Sequence, residues 1–322
     1  MQSFIVKDRP ADCAKFTRKL KISKNPKAVF ISAYNFFVRN KVACKQKNSL
    51  DFINKNVDIK YYDTYEVLKN NPPKADAYIA GSDQIWKMRV YRPAFFLDFA
   101  QGKKISYAAS MGDINIPEQN REVFKRAINN FDCISVREAD NRDVISQYTD
   151  KEIGVHVDPA FLCSKEEWKK LEKPYDIKKP YILVYPIYWD KKYNKQLKKL
   201  HKKTGYDIVY IGSGFDNVYA NKRIFDADPG QFLYLVDNAE GVVSSSFHGV
   251  SLSIILNKRI SAIINPAYPS RISHLLQLLG VENTEIFNLA NADTAFYEKT
   301  NERIAAEKEK SMKYLKAALS NE

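Results

Sequence analysis

Residues 241–257, with the sequence GVVSSSFHGVSLSIILN, run from a short apolar strand through three serines into an apolar helix. The same alternation of short apolar runs with longer helical stretches recurs from about Asp76 onward. Most of the apolar runs end at or near Gly, Ser, Asp or Pro, which favour turns. Strands that alternate with helices are typical of βαβ units, so the sequence predicts an α/β fold with parallel sheets.

The bounds of the predicted elements follow from the apolar runs and from the helical periodicity between them. Strands are predicted at residues 77–80, 105–108, 133–136, 154–157, 181–185, 207–211, 241–243 and 259–264. Helices are predicted at residues 117–130, 138–148, 165–171, 191–204, 232–238, 248–257, 270–279 and 291–319. Before Asp76 the sequence indicates a basic helical stretch and otherwise irregular chain.

The length of 322 residues indicates two domains, since one hydrophobic core seldom serves so long a chain. Residues 164–180, dense in Lys, Glu and Pro, separate two groups of predicted strands. We therefore predict an N-terminal Rossmann-like domain over residues 1–165 and a C-terminal one over 166–290, facing a cleft. The last helix, within residues 291–322, is predicted to pack back on the first domain.

The formal net charge of +13 is concentrated near the N-terminus, where residues 1–50 hold twelve basic and two acidic side chains, a net +10. Such a segment suits contact with an anionic membrane surface, whereas lysines that only confer solubility are the alternative. A nucleic acid is not expected as a partner, because the basic segment lacks a clear set of stacking aromatics or a recognition helix.

The cysteines and the hydropathy pattern indicate the compartment. Cys13, Cys44, Cys133 and Cys163 are widely spaced, without a C-x-x-C pair or clustered histidines, so neither a zinc site nor a disulfide framework is expected. The stretch 241–257 is too short and too polar to span a bilayer, and residues 1–10 lack an apolar leader core. We expect a soluble cytoplasmic protein, with any membrane contact peripheral and at the inner face.

A polar turn, GSDQIW at residues 81–86, directly follows the predicted strand 77–80. Ligands of parallel α/β sheets bind beyond the carboxyl ends of strands, which makes Ser82, Asp83 and Gln84 candidate substrate contacts. In the alternative interpretation, Ser82 or Asp83 caps the next helix and the aromatic residue that ends the turn fills the core.

Arg137 ends another predicted strand, beside the start of a helix at Glu138. An arginine in this position offers a bidentate contact to a carboxylate or phosphate, and the helix dipole adds to the attraction. The alternative is a surface ion pair of Arg137 with Glu138 or with Asp140.

The serine-rich turn within residues 241–257 contains the remaining candidates, which are Ser244, Ser245, Ser246, Phe247, His248 and Gly249. Hydroxyls and backbone N–H groups at a helix start can hold an anion, and His248 can transfer a proton. A serine-rich helix cap with a structural histidine is the alternative.

Taken in chain order, these motifs resemble the polysaccharide pyruvyl transferase family. The resemblance rests on GSDQIW at 81–86, YAASMG at 107–112, SVRE at 135–138, Asp158-Pro159 and SSFHG at 245–249. Arg271, followed by Leu275-Leu276 and Leu279-Gly280, looks like the closing pattern of that family. The resemblance covers about residues 76 to 281.

The resemblance implies a fold similar to the GT-B glycosyltransferases. It also implies transfer of pyruvate, as a ketal, from phosphoenolpyruvate to a sugar or lipid-linked oligosaccharide of a cell-surface polysaccharide precursor. Arg137 would clamp the donor anion, the serines would hold an oxyanion and His248 would act as general acid or base. Further substrate contacts are expected from Ser82, Asp83, Gln84, Ser110, Glu138 and Arg271. No metal and no cofactor other than the donor substrate is expected.

The sequence departs from the family pattern at two points. Some members have an arginine where this chain has Ser246, and members usually open with a strand and a glycine-rich loop containing Asn-Tyr-Gly, which is not found here. The first domain is therefore expected to lack its opening strand and loop, in a divergent chain or a fragment.

Two other functions compete with the leading hypothesis. One is a GT-B-type glycosyltransferase that uses a sugar nucleotide, with Asp237 or Glu240 available for the ribose. The other is a catalytically lapsed protein that binds an anionic glycan.

Overall fold

The structure is a computed structural model that describes residues 3–6, 43–177, 180–212, 217–289 and 296–320. Most of the basic segment 1–50, Cys13 and the first residues of the predicted last helix lie outside the described residues. The chain divides by its contacts into two units. Unit 1 comprises Met1–Lys60, Ser164–Asn265 and Glu282–Thr294, and unit 2 comprises Tyr61–Cys163, Pro266–Val281 and Ala295–Glu322. Each unit thus draws on three chain segments, whereas the predicted domains are contiguous.

The described elements are short strands and helices in alternation. The strands are β1 (Ser3–Val6), β2 (Ile59–Tyr62), β3 (Ala77–Ala80), β4 (Lys103–Ser106), β5 (Ile134–Val136), β6 (Ile153–Val155), β7 (Tyr181–Tyr185), β8 (Asp207–Ile211), β9 (Lys222–Ile224), β10 (Gly241–Ser244) and β11 (Ile260–Ala262). The helices are α1 (43–56), α2 (Tyr65–Asn70), α3 (Arg121–Asn129), α4 (Ala139–Ile145), α5 (Lys165–Lys169), α6 (Tyr193–Thr204), α7 (Pro229–Asp237), α8 (Phe247–Ile255), α9 (Ser270–Leu279) and α10 (Phe296–Leu319). β1 and β2 form a two-stranded sheet.

Unit 1 contains a five-stranded sheet in the order β11-β10-β7-β8-β9, with every pair parallel. Numbered from β7 along the chain and read from β9, the order is 3-2-1-4-5, which is that of Rossmann-type sheets. β7 and β10 are neighbours, with Val184 opposite Val243. Since the chain continues to opposite sides of this pair, the carboxyl ends of β7 and β10 form the topological switch point where such sheets bind ligands.

Unit 2 has parallel strands as well. β3 pairs with β4 and β5 pairs with β6, while bridges from Ile105 to Cys133 and from Ala109 to Val136 join the two pairs. The core beside these strands is aromatic, with Trp86 fully buried and stacked on Phe96 at 5.7 Å between ring centroids. The predicted α/β fold with parallel sheets is therefore confirmed.

Helix α10 belongs to unit 2 and meets the strands through aromatic side chains. The hydroxyl of Tyr314 donates to the carbonyl oxygen of Ser106 at 2.8 Å. Its ring stacks on that of His156 at 4.5 Å between centroids. These contacts place the last helix against β4 and the end of β6.

Several predicted bounds are wrong for local reasons. The strand predicted at 105–108 lies at Lys103–Ser106, because Ala108 has a φ of 48° that strands do not adopt. The helix predicted at 232–238 begins at Pro229, because Asp228 and Gln231 form a reciprocal capping box.

Three strands, β1, β2 and β9, were not predicted at all. β9, with the sequence KRI, has too little apolar character to stand out as a strand. β2 lies where irregular chain was expected, and one of its four side chains is buried. β2 and β9 are defined by their pairing with neighbouring strands, and their own sequences do not indicate them.

Candidate functional site

The predicted site residues fall into two groups, one in each unit. Unit 2 holds Ser82, Asp83, Gln84, Ser110, Arg137, Glu138 and Arg271, and unit 1 holds Ser244, Ser245, Ser246, Phe247, His248 and Gly249.

The unit 2 group is assembled by the parallel strands. Asp83 follows β3 by three residues, Ser110 follows β4 by four, Arg137 follows β5 directly and Asp158 follows β6 by three. Because the carboxyl ends of parallel strands share one edge of the sheet, residues distant in sequence meet there. Arg271 enters from the first turn of α9.

The turn 81–86 is held close to the segment that follows β4. A Cβ at Gly81 would lie 2.1 Å from the carbonyl oxygen of Tyr107, so only glycine fits this approach. The backbone N–H of Ser110 donates to the oxygen of Ser82 at 2.8 Å, and that of Trp86 donates to the oxygen of Ser110 at 3.2 Å. Trp86 fills the core, as the alternative interpretation of this turn held, but no helix begins at Ser82 or Asp83.

Arg137 is buried among three carboxylates, and its side chain is only 3% exposed. Nε donates to Glu138 at 2.8 Å, Nη1 to Asp158 at 2.8 Å and Nη2 to Asp83 at 3.1 Å. The pair with Glu138 anticipated from the sequence does form, but in the interior of unit 2 and not on its surface. These donors are directed to the protein, which leaves little of the guanidinium to clamp a ligand.

Asp83 is the accessible member of the group, with 42% of its side chain exposed. Its Oδ1 accepts hydrogen bonds from both Arg137 and Arg271. Among the described residues, Oδ2 accepts no hydrogen bond. One carboxylate oxygen is thus fixed by two arginines, while the side chain as a whole remains accessible.

The five charged side chains Asp83, Arg137, Glu138, Asp158 and Arg271 are called the charge cluster below. Three carboxylates and two guanidinium groups, −3 and +2, give a formal charge of −1. Burial alone lowers the pKa of Arg137, but Glu138 and Asp158 raise it above the ordinary arginine value. Burial, with the nearby positive charge of Arg137, lowers the pKa of Arg271.

Polar neighbours complete the hydrogen bonds of the buried carboxylates. Ser82 Oγ donates to Asp158 Oδ2 at 2.7 Å, and Ser110 Oγ donates to Glu138 Oε1 at 3.1 Å. Asn141 Nδ2 donates to Glu138 Oε2 at 2.5 Å. Ser82 and Ser110 therefore orient the charge cluster. Asn141 was not anticipated, although it lies one helical turn after Glu138.

In the sequence, Asp158 stood out only as part of the Asp158-Pro159 motif of the family resemblance. Its Oδ1 does accept from the N–H of Ala160 at 3.0 Å, as a turn residue would. Its other oxygen binds Arg137 and Ser82. Its place just after β6, equivalent to that of Asp83 after β3, is the sequence signal that identifies it.

Gln84 takes no part in the charge cluster through any described hydrogen bond. It has a φ of 50°, and its side chain lies beside Gly112, where a Cβ would come within 2.6 Å of Gln84 Cγ. Its role here is to pack the turn 81–86 against the segment after β4.

His156 lies near the same edge but is buried beneath α10. Its Nδ1 is 2.8 Å from Ser135 Oγ, and its ring stacks on Tyr314. Burial lowers the pKa of His156 to about 4, with Lys310 adding to the effect. A neutral histidine in this setting has a structural role.

In unit 1 the serine turn occupies the switch point between β7 and β10. Ser244 Oγ donates to the oxygen of Tyr185 at 2.7 Å and accepts from the N–H of Ser246 at 3.1 Å. Ser245 Oγ accepts from the N–H groups of Ile187 and Tyr188, each at 2.8 Å. These two hydroxyls tie the turn after β10 to the turn after β7 and are used within the protein.

Ser246 is the N-cap of α8, and its Oγ accepts from the N–H of Gly249 at 3.3 Å. A Cβ at Gly249 would lie 2.4 Å from Ser244 Oγ, so a larger residue does not fit. His248, in the first turn of α8, is half-buried, and its ring lies edge-on to that of the buried Phe247. The expected serine cap is present, together with a partly accessible histidine at the switch point.

The described ranges contain no group of candidate metal ligands and no candidate membrane-spanning helix. There, no three His, Cys, Asp or Glu side chains are grouped so as to hold a metal ion. Within the same ranges, no helix combines the length and apolarity needed to cross a bilayer. Cys44, Cys133 and Cys163 form no disulfide with another described residue.

Comparison with known proteins places the chain in a family. No curated protein sequence matches it. Among solved structures, a UDP-GlcNAc 2-epimerase from Methanocaldococcus jannaschii is similar with a TM-score of 0.46 and 13% identity, covering 83% of this chain and 96% of that one. The glycosyltransferase SnogD from Streptomyces nogalater has a TM-score of 0.36 and 12% identity, covering 75% and 98%. The T4 phage protein BGT has a TM-score of 0.40 and 12% identity, covering 99% of both chains.

The sequence pattern of polysaccharide pyruvyl transferases matches residues 18–265, which is 248 of the 322 residues. This span includes the serine turn of unit 1 and every member of the charge cluster except Arg271. The chain is therefore a transferase and belongs to the polysaccharide pyruvyl transferase family.

Proposed function

We propose that the protein transfers pyruvate, as a ketal, from phosphoenolpyruvate to two hydroxyls of a sugar in a cell-surface polysaccharide precursor. The observation that carries the proposal is the family match over residues 18–265, which contains both groups of candidate residues except Arg271. The acceptor is a sugar or a lipid-linked oligosaccharide.

The reaction sets the chemical requirements. A proton adds to the methylene carbon of phosphoenolpyruvate, one sugar hydroxyl adds to C2, and the second replaces the phosphate there. Two C–O bonds form, the C–O bond to phosphate breaks, and the two hydroxyl protons go to the new methyl group and to the phosphate. The site must therefore move protons, orient hydroxyls and accommodate an anionic donor.

His248 is the proposed proton-transfer residue. Imidazole titrates near neutral pH and can both donate and accept a proton. The residue is partly accessible in the first turn of α8, at the switch point of the unit 1 sheet, where the helix dipole also favours an anion. His156 is buried beneath α10, and the Nδ1 of His201 lies 2.8 Å from the oxygen of Tyr206.

Asp83 is proposed to orient an acceptor hydroxyl through Oδ2, which accepts no hydrogen bond from a described residue. A carboxylate whose other oxygen is held by two guanidinium groups is a pre-positioned hydrogen-bond acceptor. Arg137 then acts as a positioning residue, since it binds three carboxylates of the protein. Since the charge cluster is net negative, the anion contact assigned to Arg137 from the sequence is better suited to the start of α8, where His248 lies.

The test combines donor, acceptor and a histidine variant. The full chain is incubated with phosphoenolpyruvate and a panel of lipid-linked or nitrophenyl sugars, and phosphate release is measured with and without each acceptor. We expect acceptor-dependent release, which His248→Asn lowers by at least about a hundredfold, the lower value for a general acid or base. Affinity for phosphoenolpyruvate should persist in that variant.

The matched control is His201→Asn, on α6, which should retain turnover. Normal turnover of His248→Asn would show that this histidine is only structural. Binding of phosphoenolpyruvate without release by any acceptor would favour a lapsed enzyme. Transfer from a sugar nucleotide would favour the glycosyltransferase alternative, although Asp237 is only 11% exposed and is paired with Lys169 at 2.7 Å.

A further inference from the structure

Helix α6 presents a row of lysines to solvent. Lys195, Lys198, Lys199, Lys202 and Lys203 are all exposed. At 100° per residue they fall within an arc of about 140°, and the helix contains neither Asp nor Glu. Within the described residues, none of the five forms an ion pair. They are called the lysine face below.

The opposite side of α6 fixes the direction of the lysine face. Leu197 and Leu200 are fully buried in the unit 1 core, together with Ile182, Val184 and Ile208 of the sheet. Rotation of α6 would expose both leucines, so the lysines point away from the sheet as a permanent feature of unit 1.

The turn before α6 adds an apolar side chain to this charged surface. Ile187 is 75% exposed, although its backbone N–H is anchored to Ser245 Oγ at 2.8 Å. The half-buried Tyr188, Trp189 and Asp190 follow it, and then the exposed Lys191 and Lys192, of which Lys192 pairs with Asp190 at 3.2 Å. An exposed aliphatic residue beside aromatics and lysines is the composition of surfaces that rest in a membrane interface.

We propose that the lysine face and Ile187 together form a docking surface for a bilayer that contains anionic lipids. The lysines supply an electrostatic attraction to anionic headgroups, and Ile187 supplies apolar area that is buried among them. This surface is distinct from the basic segment 1–50, to which membrane contact was assigned from the sequence.

The described contacts favour a membrane over a nucleic acid or an acidic glycan. The Trp189 ring packs on Tyr193 at 5.6 Å between centroids, and its Nε1 donates to Asn194 at 3.2 Å. The indole is thus engaged and does not form a free platform on which bases would stack. An exposed Ile187 gains nothing from a polyanion in water but gains from contact with lipid.

The test measures vesicle binding by the full chain without phosphoenolpyruvate, so its outcome does not depend on the proposed function. Phosphatidylcholine vesicles with and without phosphatidylglycerol are used in flotation. Wild type should bind the anionic vesicles preferentially. The triple variant Lys195→Gln, Lys199→Gln, Lys202→Gln should bind about a hundredfold more weakly, at roughly fivefold for each lysine lost.

The controls separate this surface from overall charge. Lys299→Gln, Lys313→Gln and Lys316→Gln, on α10, remove the same charge from exposed positions and should leave binding unchanged. Ile187→Ser should weaken binding about tenfold even at high salt, since it removes apolar contact. Glutamine preserves helix propensity, and circular dichroism checks the fold.

Wild-type-like binding by the α6 triple variant would overturn the proposal and assign any membrane contact to segment 1–50. An equal loss in the α10 variant would show a non-specific charge effect and would overturn it too. So would equal partition of the wild type to neutral and anionic vesicles. In a competition arm, displacement of the vesicles by nucleic acid at equal charge concentration would favour a nucleic-acid partner instead.

Discussion

Replacement of Arg137 by alanine should destabilise unit 2 severely, because two carboxylates would lose their buried cation. The side chains of Arg137, Glu138 and Asp158 are each no more than 3% exposed. Removing one partner of a buried ion pair costs about 3–5 kcal/mol, since the other charge is left without compensation. Asp83, at the surface, would keep Arg271 and adds little to this figure.

The assay is urea unfolding followed by the fluorescence of the buried Trp86, in a background where Trp168 and Trp189 are phenylalanine. Arg142→Ala is the matched control, because Arg142 pairs with Asp143 at 3.0 Å but is 48% exposed. An exposed pair contributes about 0–1 kcal/mol, so the control should unfold close to the parent. The deficit of Arg137→Ala should shrink as the pH is lowered, because a buried carboxylate without a cation takes up a proton more readily.

The reasoning would be refuted if Arg137→Ala lost no more stability than Arg142→Ala. It would also be refuted if the deficit were the same at acid and neutral pH, since the cost is attributed to ionised carboxylates. A severe loss at neutral pH combined with partial recovery in acid is expected only of buried, uncompensated acids. Arg137→Lys should recover part of the loss, although a lysine cannot reproduce three divergent hydrogen bonds.

Three further predictions concern neighbouring residues. Asp83→Asn should lower kcat/KM for the acceptor by tenfold or more, which is on the order of the loss of a charge-assisted hydrogen bond. The KM for phosphoenolpyruvate should stay the same, and equal effects on both substrates would contradict a role toward the acceptor. Gly81→Ala should reduce the free energy of unfolding by about 1–3 kcal/mol, because the Cβ of alanine would overlap the carbonyl oxygen of Tyr107. An unchanged free energy of unfolding in a denaturant titration would argue against this close approach. The pKa of His156 is lowered to about 4 in the folded protein, so the unfolded chain takes up this proton first as the pH falls. The free energy of unfolding should therefore decline from about pH 6.5 to about pH 4. His156→Gln should flatten that part of the pH profile.

The sequence was sufficient to locate the strands that are apolar and the polar residues that follow them. Strands at Ala77–Ala80, Tyr181–Tyr185 and Asp207–Ile211 coincide with their predicted bounds, and in the last two the continuous apolar run is buried on both faces of a parallel sheet. The same logic identified Asp83 and Arg137, each just beyond a strand.

The partners of these residues could not be predicted, because they are set by strand neighbours and not by sequence spacing. Sequence proximity offered Glu138 or Asp140 as partners for Arg137, whereas the structure adds Asp83 and Asp158, which lie 54 and 21 residues away. Asp83 also binds Arg271, from which it is separated by a still longer stretch of sequence. An arginine that looked suited to a ligand is for this reason largely committed to the protein.

The charge of the cluster bears on which substrate it suits. The charge cluster, with three carboxylates and two guanidinium groups, carries a net charge of −1. It would therefore repel the trianionic donor of the proposed reaction, unless one of the arginines released a carboxylate of the protein and bound the donor instead. A sugar hydroxyl makes no such demand, since it can donate to Asp83 Oδ2 without disturbing any described bond. The start of α8 offers the opposite field, with the positive end of the helix dipole and His248 in its first turn. Under the proposed function, each unit taken by itself suits a different substrate: Asp83 in unit 2 suits the neutral acceptor, and the start of α8 in unit 1 suits the anionic donor.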